Sequence, residues 1–247
     1  MTEITNQIQA MTYAKFAGLL YLLIAISGGF SIGYMPSVII VSDDAATTAQ
    51  NLLENQGLFR LGILGDIVII LLEIILTVIL YRLFKPINQT ISMIAAFARL
   101  SMSIVMGLNL LNYLIPYHLL NSANNLVAFE IDELQSLVLV FLEAHEYGVY
   151  IWGLFFGLHL ISLGYLVFKS GYFPKVLGLL MGIGSFGYSL ESIGEITLTH
   201  NELFSILVIA LLVIVTIGEL SFTFWLLIKG LNIEEWNKRN FKRVNKN

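Results

Sequence analysis

Four ionisable side chains, Glu73, Arg99, His159 and Glu219, interrupt apolar stretches otherwise long enough to cross a bilayer. An uncompensated charge at the bilayer centre costs at least about 2.5–3.5 kcal/mol, so intramembrane charges pair with one another or face water. Two carboxylates, a guanidinium and an imidazole suit proton coupling, because histidine changes charge near neutral pH. The same set suits the binding of a polar substrate, or a polar knot that fixes helix order through interhelical contacts without turnover.

Their depths agree. At 1.5 Å per residue, Arg99 lies about 14 Å in from Thr90, His159 about 14 Å from Phe168, Glu219 about 14 Å from Ile228 and Glu73 about 16 Å from Phe84. The four thus share one level near the midplane. Thr216, Glu219 and Thr223 form a polar stripe at helical spacing, and Ser92, Ala96, Arg99 and Ser103 share one small and polar face. An outer cluster follows from the same arithmetic. Asp66 sits seven residues before Glu73, Tyr188, Glu191 and Glu195 line one face of a later segment, and Asn109, Asn112, Glu143, His145 and Glu146 reach the same level.

The elements that must position these groups are six apolar segments: Phe16–Val41, Leu61–Phe84, Thr90–Leu114, Tyr147–Phe168, Pro174–Thr197 and Leu203–Ile228. Lys85-Pro86, Pro116, Ser170-Gly171 before Pro174, and His200-Asn201 mark boundaries. The expected fold is all-α, one polytopic helical bundle in a single membrane-embedded domain over 1–247. The chain is 57% hydrophobic and 12% charged, against about 25% charged in soluble domains. Ser27-Gly28-Gly29 lies inside an apolar run that continues well beyond it, so the first segment reads as an uncleaved helix. With both termini cytoplasmic, 11 of the 13 Lys and Arg residues fall on that side, the exceptions being Arg60 and Arg99. Outer loops carry Asp43, Asp44, Glu54, Glu130, Asp132, Glu133, Glu143, Glu146 and Glu202.

Two outer segments exceed simple turns. Asp43–Arg60 reads as a short amphipathic helix with Ala46, Ala49 and Leu53 on one face. Tyr117–Glu146 contains a longer helical pattern in which Leu126, Phe129, Leu134, Leu137 and Leu142 alternate with acids, and Ser136–Phe156 could begin the fourth span early. Both segments suit a membrane-surface cap or a lid over an outward cavity. The aromatic-plus-lysine endings at Tyr81–Lys85 and Tyr165–Lys169 repeat at an offset of 84 residues, as helices reaching a cytoplasmic interface do.

Several chemistries are disfavoured. With no cysteine there are no disulfides, thiolate metal sites or cysteine nucleophiles. His118, His145 and His200 lie near the outer surface and are weak metal candidates, with no H-x-x-x-H or H-E-x-x-H spacing. His145 and His159 are about 21 Å apart along one helix and cannot share an ion. Haem needs two deep histidines, and only His159 is deep. No cofactor is expected, and no nucleophile motif occurs. The glycine pairs Gly29-x-x-x-Gly33, Gly153-x-x-x-Gly157 and Gly178-x-x-x-Gly182 read as close helix-packing surfaces. The basic tail Lys238-Arg239-Asn240-Phe241-Lys242-Arg243 suits anionic lipid rather than nucleic acid. The expected partner is the lipid bilayer, with a homo-oligomer allowed and any small-molecule substrate unspecified.

From Tyr13 to Trp236 the chain resembles the bacterial integral membrane proteins grouped as domain of unknown function 4386. The resemblance rests on Ala17-Gly18-Leu19-Leu20-Tyr21, Gly57-Leu58-Phe59-Arg60 with Asp66, and Asn109-Leu110-Leu111-Asn112. It continues through Ala144-His145-Glu146-Tyr147-Gly148, Phe155-Phe156-Gly157-Leu158-His159 and Lys169-Ser170-Gly171-Tyr172-Phe173-Pro174. Leu177-Gly178, Gly187-Tyr188, Gly218-Glu219 and Trp225-Leu226-Leu227-Ile228-Lys229-Gly230 complete it. It implies a bacterial inner-membrane architecture and no chemistry, since the family's activity is unassigned. Three functions stay open: a small transporter-like protein with a midplane polar site; a structural or sensory protein whose charges only fix packing; and a membrane enzyme on an amphiphilic substrate. The enzyme would need His145 within hydrogen-bond reach of an acid.

Overall fold

Long uninterrupted runs of Leu, Ile, Val and Phe close their own backbone hydrogen bonds as helices, the arrangement that hydrocarbon demands of a spanning segment. A computed structural model describes residues 2–122, 129–197 and 201–244, and no strand occurs among them. The elements are α1 (Thr2–Gly28), a π-helical stretch (Gly29–Tyr34), α2 (Met35–Ile39), α3 (Ala45–Glu54), α4 (Gln56–Phe84) and α5 (Gln89–Asn109). They are followed by α6 (Leu111–Asn121), α7 (Ile131–Ser170), α8 (Lys175–Thr197), α9 (Glu202–Ile228) and α10 (Ile233–Val244). Among the described residues, six helical segments are long and apolar enough to span a membrane: Gln7–Ile39, Gln56–Phe84, Gln89–Asn121, Ile131–Ser170, Lys175–Thr197 and Glu202–Ile228.

The outer segments agree with expectation in part. The helical pattern read over Tyr117–Glu146 divides: its described start ends α6, and its second half is the first four turns of the 40-residue α7, so the fourth span begins early, at Ile131 and before the Ser136 that the sequence allowed. No Gly or Pro stands between Ile131 and Tyr147, so nothing interrupts the helix there. Leu134 and Leu142 are buried along it and Phe129 is exposed, while Leu126 lies outside the described residues. In the earlier loop, Ala45–Glu54 is helical as α3 but buries Thr48, Ala49 and Leu52; Ala46 and Leu53 face outward, and Arg60 belongs to α4.

α3 begins where Asp44 caps it: the Thr47 backbone N–H donates to Oδ1 at 2.9 Å and the Thr47 hydroxyl to Oδ2 at 2.6 Å. These bonds hold the Asp44 carboxyl below the usual carboxylate range, with the Thr47 hydroxyl the larger cause. A depressed folded-state value stabilises above the unfolded pKa of about 3.9 and is lost as pH falls through the folded value. The Thr47 amide protection factor, its exchange relative to the intrinsic rate at the same pH, should therefore fall below about pH 4, and Asp44→Ala should show that lower protection at neutral pH as well. Protection unchanged in Asp44→Ala would remove the cap from this account.

The chain divides into two compact units, and the divisions fall inside α1, α4, α5 and α7. The first comprises Met1–Leu22, Leu72–Met102 and Tyr150–Asn247. At one end of it, the turn after α7 places Gly171 at φ 74°, Ser170 Oγ donates to Val167 O at 2.8 Å, and Tyr172 N donates to Ser170 Oγ at 3.0 Å. α9 closes on Gly230 (φ 69°), and Asn232 N donates to Tyr172 O at 3.1 Å, joining the two turns. Both glycines occupy left-handed backbone that residues with a Cβ rarely adopt. α10 packs beside them: Arg239 donates to Lys169 O at 3.1 Å, and Lys238 pairs with Glu235 at 2.6 Å, which raises the Lys238 ammonium above its ordinary value.

The second unit comprises Leu23–Leu71 and Ser103–Val149. Its core gathers Met35, Ile39, Leu52, Phe59, Tyr113 and Leu142, with the Phe59 and Tyr113 rings edge to face at 5.3 Å. Of the three glycine pairs, Gly153 and Gly157 face Ser192 and Ser189, and Gly178 faces α7. A Cβ at Gly29 or Gly33 would meet nothing within 4 Å, so that pair, which lies in the π-helical stretch, makes no close approach to another described residue.

Candidate functional site

All four intramembrane charges fall in the first unit, and three of them meet at one guanidinium. Arg99 on α5, 1% exposed, donates from Nε to Glu73 Oε2 on α4 in a buried ion pair. Its Nη1 also donates to Tyr21 Oη on α1 at 3.1 Å and to His159 Nε2 on α7 at 2.7 Å. Because Nε2 faces a donor, the ring hydrogen sits on Nδ1, which lies 2.8 Å from the Ala95 carbonyl oxygen and donates to it. Both ring nitrogens are thereby committed and the imidazole is fixed in one tautomer.

Aromatic walls hold this centre. The Arg99 guanidinium lies 4.8 Å from the Tyr21 ring centre, Tyr21 packs edge to face on Phe222 at 5.9 Å, and His159 stacks on Phe156 at 6.1 Å. Small residues admit the charged side chains: Ala14, Ala17, Ala95, Ala98 and Ser92 are all buried. Beside Arg99 and His159 is a cavity of about 10 Å³, lined also by Thr77, Ser92 and Ala96. That is room for about one water molecule.

Glu219 is held differently. It is half-buried on α9, within electrostatic range of Arg99 and Glu73, and its hydrogen bond comes from Tyr188 Oη at a long 3.5 Å. Tyr188 is therefore joined to Glu219 rather than to Asp66, Asn109, Asn112 and His145, with which the sequence grouped it. A helical side chain leans toward the N-terminus of its helix, so on α8 the phenol reaches back past its own Cα level. Glu191 and Glu195 remain on the same helix, both half-buried.

The rest of the outer cluster lies in the second unit. Asn109 Nδ2 donates to His145 O at 2.9 Å and Asn112 Nδ2 to Asn109 Oδ1 at 2.9 Å, so these residues do assemble. His145 is buried and stacks on Tyr113 with ring centres 3.7 Å apart, and its Nε2 makes no hydrogen bond. The His145–acid bond required of an enzyme site is thus not made at Nε2. Asp66 is 1% exposed with neither carboxylate oxygen hydrogen-bonded, whereas Glu143 and Glu146 are exposed. Of the metal candidates, His118 is exposed, His145 is buried and His200 lies outside the described residues; among those described, no three His, Cys, Asp or Glu residues gather as a metal site.

Tyr21, beside Arg99, and Ser31 and Tyr113, beside Asp66, are neighbours of the buried charges that the charge pattern passes over. Tyr21 had a legible signal, since Ala14, Ala17 and Tyr21 repeat at helical spacing on one small face. Ser31 had none, because its face is set by the π-helical stretch.

Residues 16–230 match the family model described as "Domain of unknown function (DUF4386)". The chain is also similar to an uncharacterized protein of Archaeoglobus fulgidus, 32% identical over 174 residues that cover 70% of this chain and 86% of that protein. This relative is archaeal, whereas the sequence resemblance pointed to bacteria. No solved structure matches.

Proposed function

The chain belongs to the DUF4386 family, and from that premise we propose that it is a small transporter-like membrane protein whose midplane site handles protons through Glu219. The observation that carries the reading is the unequal commitment of the four charges. Glu73 and His159 are bonded directly to Arg99, while Glu219 keeps a single long contact with Tyr188 Oη at 3.5 Å. An acid near a fixed guanidinium but not locked to it can gain and lose a proton without dismantling the packing around it. Tyr188 Oη is then the group that passes or receives the proton, and Arg99 the fixed positive charge beside it. The small volume beside Arg99 and His159 supports protons rather than a polar solute as what that site handles.

In this reading both termini face the cytoplasm, the side the positive-inside rule assigns to Lys85, Lys169, Lys175 and Lys229. α10, with Lys238 and Arg239 exposed, lies against anionic lipid there. A second reading is favoured by the same small cavity: the Arg99 centre fixes helix order and nothing passes.

The two readings separate in proteoliposomes carrying a trapped pH-sensitive dye. Under an imposed pH gradient, wild-type protein should dissipate the gradient faster than empty vesicles, and Glu219→Gln should reduce the difference at least about tenfold while eluting as folded protein. Equal dissipation by wild type and Glu219→Gln would leave only the structural reading. His159→Ala is the contrasting variant: because both its ring nitrogens are bonded, it should lower folded yield as well as flux.

A further inference from the structure

The second unit contains a buried negative charge that the midplane site does not use. Asp66 on α4 is 1% exposed, and both Oδ1 and Oδ2 lack a hydrogen-bond partner. Ser31, fully buried in the π-helical stretch, is set against it, close enough for a weak contact with the carboxyl, and neither group makes a well-aligned hydrogen bond. Tyr113 on α6 lies within electrostatic range of Asp66 and stacks at 3.7 Å on His145 of α7, whose buried Nε2 is the fourth orphaned atom. Glu146, the other acid within range of Tyr113, is exposed to one side.

Buried polar atoms are almost always bonded, and a buried carboxylate without a bonded partner calls for an explanation such as a bound ion. The local construction points the same way. π-Helical insertions concentrate at functional sites, and this one turns Ser31 toward α4, where Gly65 lets the chains approach: a Cβ at Gly65 would stand 3.1 Å from Ser31 Cβ. Asn109 and Asn112 bond each other and the His145 carbonyl, which fixes the backbone that carries the imidazole.

We propose that Asp66 and Ser31, walled by Tyr113 and His145, bind one alkali cation of the sodium type. The donor set selects the class. Carboxylate and hydroxyl oxygens are hard ligands suited to hard cations, and the absence of a His/Cys/Asp/Glu trio among the described residues disfavours zinc and its neighbours. Charge decides the valence: one carboxylate balanced by one monovalent ion leaves the site neutral, whereas a divalent ion would leave an uncompensated positive charge in the bilayer. The inference does not depend on Glu219 and stands or falls separately from proton handling.

The test is thermal unfolding of the full chain in detergent at fixed pH and ionic strength, with sodium chloride replaced stepwise by choline chloride. Sodium should raise Tm by about 2–4 °C at saturation. Asp66→Asn should abolish the dependence, and Ser31→Ala should keep it with the half-saturating sodium concentration raised about tenfold. Glu219→Gln should leave it unchanged, which separates this site from the midplane one. Should Asp66→Asn fail to fold, the Ser31→Ala titration still decides. Indistinguishable wild-type curves in sodium and choline would overturn the proposal, as would a sodium effect that persists in Asp66→Asn, an unshifted Ser31→Ala midpoint, or a Tm that follows pH alone.

Discussion

Arg99→Met is expected to destabilise the protein by about 3–5 kcal/mol, the range for removing one partner of a buried ion pair. The loss has three components at one position. Glu73, 4% exposed, is left as an uncompensated buried charge, and Tyr21 Oη and His159 Nε2 each lose a donor. Replacing both members of the pair, as in Glu73→Gln with Arg99→Met, removes the first component but not the other two. The double variant should therefore be more stable than Arg99→Met alone yet remain below wild type by about 1–3 kcal/mol, the cost of leaving a buried partner unsatisfied. Arg99→Lys keeps the charge but not the planar fork that reaches Glu73, Tyr21 and His159 together, and should fall between the two. Thermal unfolding of these four proteins together with Glu73→Gln, in one detergent, completes the cycle and gives the Glu73–Arg99 coupling. If Arg99→Met unfolds within about 1 kcal/mol of wild type, the pair is not the buried centre described here.

The level at which these charges meet was legible because helix rise is constant: counting from aromatic and lysine-marked ends is enough to bring Arg99, His159 and Glu73 to one depth. Which of them bond was not legible, because rotation about each helix axis is set by packing. Tyr188 shows the limit. Counted by its Cα it belongs to the outer end of its span, but the lean of a long side chain toward the N-terminus of α8 brings it to Glu219. The second half of Tyr117–Glu146 carried a correct helical pattern, and the uninterrupted run into Tyr147 is the signal by which Ser136–Phe156 could be read as an early start of the fourth span. Asp66 was placed with Asn109, Asn112 and His145, and the structure keeps these four in one unit. What the count could not supply was Ser31, since a π-helical stretch shifts the register of every face beyond it.

Gly164→Leu and Gly178→Leu should be the most damaging substitutions outside the charged centre, and for a different reason. A Cβ at Gly164 would stand 2.7 Å from Gly182 N and 2.9 Å from Gly182 Cα, and one at Gly178 would stand 2.6 Å from Phe168 N. The obstacles are backbone atoms, so no rotamer change can relieve them and α7 and α8 must separate. In lipid no hydrophobic force drives the helices back together, because the acyl chains are as apolar as the side chains; association rests on the close packing that separation removes. Each leucine variant should lose at least about 1–3 kcal/mol, the overpacking range, and shed α7–α8 packing along its length. Gly182→Ala is the internal control. It lies on the same helix in the same small-residue pattern, yet a Cβ there meets nothing within 4 Å, so its Tm should stay at or slightly above that of wild type. Equal losses at Gly164, Gly178 and Gly182 would mean that glycine content rather than backbone approach governs this interface, and the same unfolding measurement reads all three.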